Sequence, residues 1–451
     1  MSLSSKCKNV MKIIYINMLV FLMAGCAARP ADKGAPGDFA YITAGIEERT
    51  NYSPRQAQEP GKFELPQWVT LDDGLSQDEA VAVALWNNAR FQADLSALDF
   101  TRADLVEAKM LPNPTFSLLF PVGPKLLETA LSIPAEALWQ RPHRIAAAKF
   151  DAQSVAEDLI ENGLGLIRDV QTTYADLWLS QKSFDLAQDD AQLQIQITQL
   201  AKARLAAGDI SGLTAGSAHT DSLQVVGHMK SLLKEIDVTK QQLNTLLGLS
   251  SENVTYDIEM LDMTEKSTVS IDKLLQTALA ARPDLRAMEL AIEAAGERLG
   301  WEKSKIYNFI AIIDAKDEGE DSLTVGPGLE VEIPIFNQNQ SQIARAKTEL
   351  EQASRQYEAL RQNIILEVKQ AYTRYVSAYE QFDLWNNDIV PSLEQVLEQT
   401  SKSFEIGEVP YLTVLEANRK LIEAKVQLAE LTANVHRSAA ELNYYVGKKM
   451  I

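Results

Sequence analysis

From Ser341 to Ile406 apolar residues recur at coiled-coil spacing. Ile343, Ala346, Leu350, Ala353, Tyr357, Leu360, Ile364 and Val368 open a series that continues through Ala371, Tyr375, Phe382, Ile389 and Val396. Steps of three or four, with a mean near 3.5, mark one face of a single long helix. At about 1.5 Å per residue it would reach about 100 Å, against about 30 Å for a small domain. A rod of that length must pack on other rods. Pro391 lies inside it and predicts a kink or break between Asp388 and Val390.

The same rod occurs earlier, from Arg144 to Ala207. Ile145-Ala146-Ala147-Ala148-Lys149 answers Ile343-Ala344-Arg345-Ala346-Lys347, and Val170 and Tyr174 answer Val368 and Tyr372 at the same offset. Asp78 to Phe116 runs parallel to Asp272 to Ile310, and the turn around Gly208 leading to Thr214 answers the one around Gly407 leading to Thr413. The chain therefore reads as two copies of one unit of about 190 residues, placed at 76–248 and 271–447. A mid-height connector, 249–270, joins them and a tail follows at 448–451.

Within each copy a helix leads to a hairpin. Ser76 with Glu79 caps the first helix, which runs to about Met110 and is stopped by Pro112 and Pro114. Its counterpart runs from Ile271 to about Lys305. The hairpins, 113–134 and 307–334, have a period of two. In the first, Phe116, Leu118, Phe120 and Val122 share a face, as do Leu127, Leu131 and Ile133 on the return strand. Opposite them stand Thr115, Ser117, Glu128, Ala130 and Ser132. In the second, Tyr307, Phe309, Ala311, Ile313 and Ala315 oppose Asn308, Asp314 and Lys316. Beyond a charged loop, Asp317 to Asp321, Leu323, Val325, Leu329, Val331 and Ile333 oppose Thr324, Glu330 and Glu332. Strands apolar on one face and polar on the other suit an outer-membrane barrel wall, lipid outside and water inside. Four strands leave two unpaired edges in lipid, while closed barrels start at about eight. The chain must oligomerise to span.

The amino terminus predicts export. Lys6, Lys8 and Lys12 precede an apolar run, Ile13 to Ala24, that ends in Met23-Ala24-Gly25-Cys26. This reads as a signal peptide over 1–25, too short to be a spanning helix, with Met11 as an alternative start to Met1. Those four residues resemble a bacterial lipoprotein cleavage box, which implies lipidation of Cys26 and stable anchoring by several acyl chains. Ala27 after the cysteine points to the outer membrane. Residues 26–75, with Pro30, Pro36, Pro54, Pro60 and Pro66 and no steady period, read as a lipidated extended tether.

Composition narrows the function classes. With 43 Lys and Arg against 62 Asp and Glu, a net charge of −19, the chain lacks the basic clusters that a nucleic-acid surface needs. Acidity of this degree mostly describes solvated helix faces and leaves a cation-attracting duct open. Enzyme signatures are missing: His143, His219, His228 and His436 have no HExxH spacing, and no glycine-rich phosphate loop occurs. Both cysteines precede residue 27, so no thiol nucleophile remains after processing. No cluster of Met or His predicts a metal site, and no cofactor is predicted. The Arg141 to Arg144 run reads as a helix start near the barrel base.

Several of these features together resemble the TolC-like outer-membrane efflux protein family over about residues 70 to 447. They are the lipoprotein box, the duplicated helix-hairpin-helix plan, the strand exit Leu329-Glu-Val-Glu-Ile-Pro-Ile-Phe336-Asn-Gln-Asn339, and the turn Phe404-Glu-Ile-Gly407 into Leu412-Thr-Val-Leu415. The resemblance implies a mainly α chain with a small β part, in which long coiled-coil α-barrel helices join four transmembrane β-strands per chain. Three copies would close a twelve-stranded barrel continued by a helical tube. It implies a homotrimer, a periplasmic adaptor protein, an inner-membrane pump such as an RND transporter, and outer-membrane lipid as partners. Phe404, Thr413, Glu416 and Thr214 fall on periplasmic gate positions, and Gly208, Asp209, Gly407 and Glu408 on adaptor-docking tips. Thr214 and Thr413 stand where the family often has Asp, which leaves Glu416 as the best acidic candidate. The implied function is a passive exit duct for solutes. A lipid-tethered coiled-coil scaffold without a pore and the duct of a one-step protein secretion system are the alternatives. Strands with polar inner faces favour a duct over a scaffold.

Overall fold

The computed structural model describes residues 38–57, 59, 61–71, 74–120, 127–249, 256–261, 263, 266, 268–317 and 323–451. The signal peptide, Cys26, Val122 and the charged loop after Asp317 lie outside the described residues. The fold is mainly helical with one small antiparallel sheet.

A helix, α1 (Phe39–Thr50), lies inside the segment expected to be an extended tether. Asp38 caps it through the Phe39 N–H, and Ile42, Ile46 and Thr50, one turn apart, form its buried stripe. Each of the two short helices expected as continuous is broken. In the first copy α2 (Gln77–Asn87), α3 (Ala89–Leu95) and α4 (Ala97–Lys109) follow one another. Asn88 turns extended and caps α3 through the Phe91 N–H, a bond that competes with helix continuation. In the second copy α7 (Ile271–Ala281) ends before α8 (Pro283–Ser304). Pro283 disfavours helical backbone at Arg282, which is extended, and serves as the first residue of the next helix. The capping box at Ser76 and Glu79 is present as read.

The first rod is α5 (Ala137–Ala206), 70 residues, or about 105 Å of helix. It begins at Ala137 rather than Arg144, and the Arg141 to Arg144 run lies within it rather than at its start. Pro142 is tolerated in the second turn, where its missing N–H forfeits a single bond to Leu138. After a turn comes α6 (Gly212–Leu247), matched in the second copy by α11 (Tyr411–Val446), each of 36 residues. The second rod is interrupted at the expected place. Between α9 (Gln340–Leu384) and α10 (Val390–Glu405) runs a π turn, Trp385–Ile389. Pro391 cannot donate to the carbonyl one turn back, and the widened ladder absorbs that loss.

The strands β1 (Thr115–Leu119), β2 (Leu127–Pro134), β3 (Phe309–Asp317) and β4 (Leu323–Val331) form one sheet in the order β1-β2-β3-β4. Phe120, Tyr307 and Ile333 fall outside the strands. The register joins the two hairpins with their apolar faces aligned. Leu131 pairs with Phe116 on one side and Ile313 on the other, and Ala315 lies between Thr129 and Val325. The polar row aligns likewise, with Ala130 between Ser117 and Asp314. Among the described residues β1 and β4 are edges without a pairing strand.

The helices hold separate cores. One gathers α1, α2 and the middle of α5, with Ile42, Ile46, Leu85, Ile160 and Tyr174 buried. A second gathers α7, α9 and α11 around Leu274, Ile364, Tyr375 and Val435, and a small third, Val390, Leu421 and Ala424, lies beyond the π turn.

Candidate functional site

Three levels of the molecule carry polar chemistry. At the sheet, the face opposite the apolar rows bears Glu128, Asp314, Lys316, Thr324 and Glu330. Lys316 Nζ lies 2.8 Å from Asp314 Oδ2 and 3.7 Å from Glu128 Oε1, so one cation answers two carboxylates. The Asn308 amide donates to Glu332 Oε2 at 2.8 Å at the strand exit. This face therefore keeps net negative charge.

At the waist, each copy closes its helices with a polar side chain at the broken short helix. Asn88 Nδ2 donates to the Leu246 carbonyl at the end of α6. Arg282 does the same for the end of α11, donating from Nη1 to the Tyr445 carbonyl at 3.3 Å. Its guanidinium also reaches Glu367 Oε2 at 2.6 Å and takes Asp284 through Nε at 2.9 Å and Nη2 at 2.6 Å. Burial alone would push this group down, but the bonds and charge of Asp284 outweigh it and hold the group well above its ordinary value. Glu161 on α5 lies beside the cluster, where burial and then the charge of Asp284 push its carboxyl up to about 7, against the pull of Tyr444, Arg282 and Arg168. Sequence reasoning missed both residues, and the readable signal was the Arg-Pro pair that breaks the helix.

The far ends of the rods form two matched turns. Gly208 and Gly407 both take φ of +82°, left-handed backbone that glycine adopts without strain. The Asp209 N–H bonds the Arg204 carbonyl at 2.9 Å and the Glu408 N–H bonds the Ser403 carbonyl at 2.8 Å. Gly208, Asp209, Gly407 and Glu408 are all exposed there. Phe404 packs on Tyr411, ring centroids 5.1 Å apart, and the Tyr411 hydroxyl donates to Gln196 Oε1 at 3.2 Å, tying the second turn to α5. Thr413 is half-buried nearby, with its N–H on the Pro410 carbonyl. Thr214 is exposed and its N–H bonds the Ser211 hydroxyl, a cap. Glu416 is exposed. Sequence reasoning also missed Tyr411 and Gln196; an aromatic residue within two turns of Phe404 was the only hint. Among the described residues no group of His, Cys, Asp and Glu could hold a metal ion, and no helix is long and apolar enough to cross a membrane.

Residues 274–448 match the family model for the outer membrane efflux protein. The match falls on the second of the two copies. The chain is similar to the cobalt-zinc-cadmium resistance protein CzcC of Cupriavidus metallidurans, 23% identical over 380 residues that cover 83% of this chain and 90% of that one. It also matches the cation efflux system protein CusC of Escherichia coli strain K12, 27% identical over 201 residues, 40% of this chain and 43% of that protein. The fold is shared with the solved outer-membrane channel OprN at a TM-score of 0.68, with 16% identity and coverage of 93% of this chain and 97% of that one. The family model matched over 274–448 is one of outer-membrane proteins.

Proposed function

We propose that the chain is the exit duct of a tripartite efflux system. It works as a homotrimer lipidated at Cys26, receiving solute from a periplasmic adaptor and an inner-membrane pump. The observation that carries this reading is the four-stranded sheet with two open edges. In hydrocarbon each unpaired backbone group costs several kcal/mol, so the edges must be closed by other copies. Three copies supply twelve strands, within the range of closed outer-membrane barrels. The matched turns at Gly208–Asp209 and Gly407–Glu408 are the adaptor-facing tips, and Phe404, Thr413, Glu416 and Thr214 form the gate region.

Divalent or other metal cations are the favoured cargo. The reading is supported by the names of the relatives CzcC and CusC and by the net acidic polar face of the sheet, which favours cations in a water-filled wall. The same duct reading covers one-step protein secretion, but nothing on the sheet or the tips favours it, and a scaffold needs no such sheet. The test is metal accumulation in the source cell. Deleting the gene should raise cellular zinc, cobalt or cadmium, and the intact gene should restore export. Unchanged accumulation of every metal with restored export of another solute would remove the cation assignment and keep the duct.

A further inference from the structure

Below the sheet, one stripe of α5 is left open. Leu138, Arg141, Pro142, Ile145, Lys149 and Phe150 line a groove of about 610 Å³ on it. The flanks of α5 are already occupied at this height. Arg141 Nε and Arg144 Nη2 donate to the Lys109 and Met110 carbonyls at the end of α4, at 2.8 and 2.7 Å. On the other side His143 lies 2.7 Å from Glu297 and the Arg298 guanidinium 2.6 Å from Asp151, both joining α5 to α8. The open stripe continues down the helix to Ile160 and Gly163, where α1 covers it through Ile46 and Gly45. At its upper end Trp139 packs edge-on against Phe309, ring centroids 5.4 Å apart, and Phe309 belongs to the apolar row of the sheet. The groove is thus on the outer, lipid-side face, directly under the membrane-facing strands, and α1 stops short of it.

Its chemistry is one-sided. Arg141 and Lys149 line it with no carboxylate beside them, and neither makes an ion pair among the described residues. They lie two turns apart, about 12 Å along the axis; Arg141 spends its Nε on the Lys109 carbonyl, which leaves its two Nη groups, with the Lys149 ammonium, for a phosphate lying between them. Leu138, which is 70% exposed, and Pro142 give an apolar track from that point up to the sheet. A guanidinium and an ammonium beside an apolar track next to the bilayer match an anionic lipid.

We propose that this groove binds one anionic phospholipid of the inner leaflet, its phosphate between Arg141 and Lys149 and an acyl chain over Leu138 and Pro142. The inference rests on the outer-membrane duct reading for its orientation and adds a lipid site to it. The test is native mass spectrometry of the full, detergent-extracted protein titrated with phosphatidylglycerol or phosphatidylcholine. Phosphatidylglycerol should be retained preferentially. At about fivefold per cation, Arg141→Gln with Lys149→Gln should weaken it about 25-fold, while Lys347→Gln, the repeat-related lysine on α9, should leave it unchanged. If the double variant fails to assemble, Lys149→Gln alone, an exposed side chain, should still give the fivefold loss. Equal retention of the two lipids, an unaffected variant, or displacement by millimolar inorganic phosphate overturns the site. Capture of protein instead of lipid by a photo-crosslinker at Ile145 also overturns it. The same spectra report the number of chains, so loss of lipid preference with an intact trimer sinks this proposal and leaves the duct standing.

Discussion

Replacing Arg282 by Met tests how the second copy is held together at the waist. The side chain is 5% exposed and serves two carboxylates, Asp284 and Glu367, which are 21% and 35% exposed. Removing one member of a fully buried pair costs about 3–5 kcal/mol, because the stranded charge stays desolvated. Here the partners are a fifth to a third open to water, which discounts the loss to about 2–3 kcal/mol. That corresponds to about a 30- to 150-fold shift in the folding equilibrium. The assay is urea unfolding of the detergent-extracted protein, followed by helical circular dichroism. Arg345→Met serves as the control, since its pair with Glu349, at 75% and 49% exposure, should cost less than about 1 kcal/mol. A triple variant, Arg282→Met with Asp284→Asn and Glu367→Leu, should regain most of the loss by removing the stranded charges. If Arg282→Met and Arg345→Met unfold at the same midpoint, the waist cluster does not hold the fold and the reasoning fails.

Further outcomes follow from the same contacts. Glu161 is raised from 4.5 to about 7 in the folded chain, so its contribution is fully present below 4.5 and is lost as pH rises through 7. Unfolding midpoints should therefore decline between about pH 5 and pH 8, and Glu161→Gln should flatten that decline; an unchanged slope would remove the assignment. Gly248→Ala should destabilise more than Gly208→Ala in the same urea assay. Both pay about 1–2 kcal/mol for left-handed backbone, but only at Gly248 (φ +75°) would the new Cβ run into the Asn87 carbonyl, while Gly208 has open space. Equal losses would contradict the close approach. At the tip, Tyr411→Phe keeps the stack on Phe404 and deletes the bond to Gln196. If that bond holds the gate, the conductance of the reconstituted duct should rise; no change would place the gate elsewhere.

The long elements were legible because their patterns repeat many times over. Periods of 3.5 and of two located the rods and the hairpins, and the register confirms which strand residues share a face: Phe116, Leu131 and Ile313 stand in one row across the sheet. The break near Asp388 was readable from Pro391, though its form as a π turn was not. Short elements failed for lack of repeats. α1 shows little beyond Ile42 and Ile46 one turn apart in a stretch dense in Pro, so the tether reading prevailed. The breaks at Asn88 and Arg282 were hidden because apolar spacing continues across them, and a single cap or proline decides the backbone. The waist chemistry is long-range: Arg282 meets Glu367 and Tyr445 only after α8, α9 and α11 have packed, and a charged residue in sequence carries no mark of burial. At the tip, Tyr411 meets Gln196 across 215 positions, a contact no local pattern announces.

The central claim is that open edges of a four-stranded sheet are closed by other copies of this chain. Its most direct test is the native mass of the lipidated protein extracted from membranes in mild detergent. A mass of three chains is what the account predicts; a stable monomer would contradict it and leave a tethered scaffold in place of a duct.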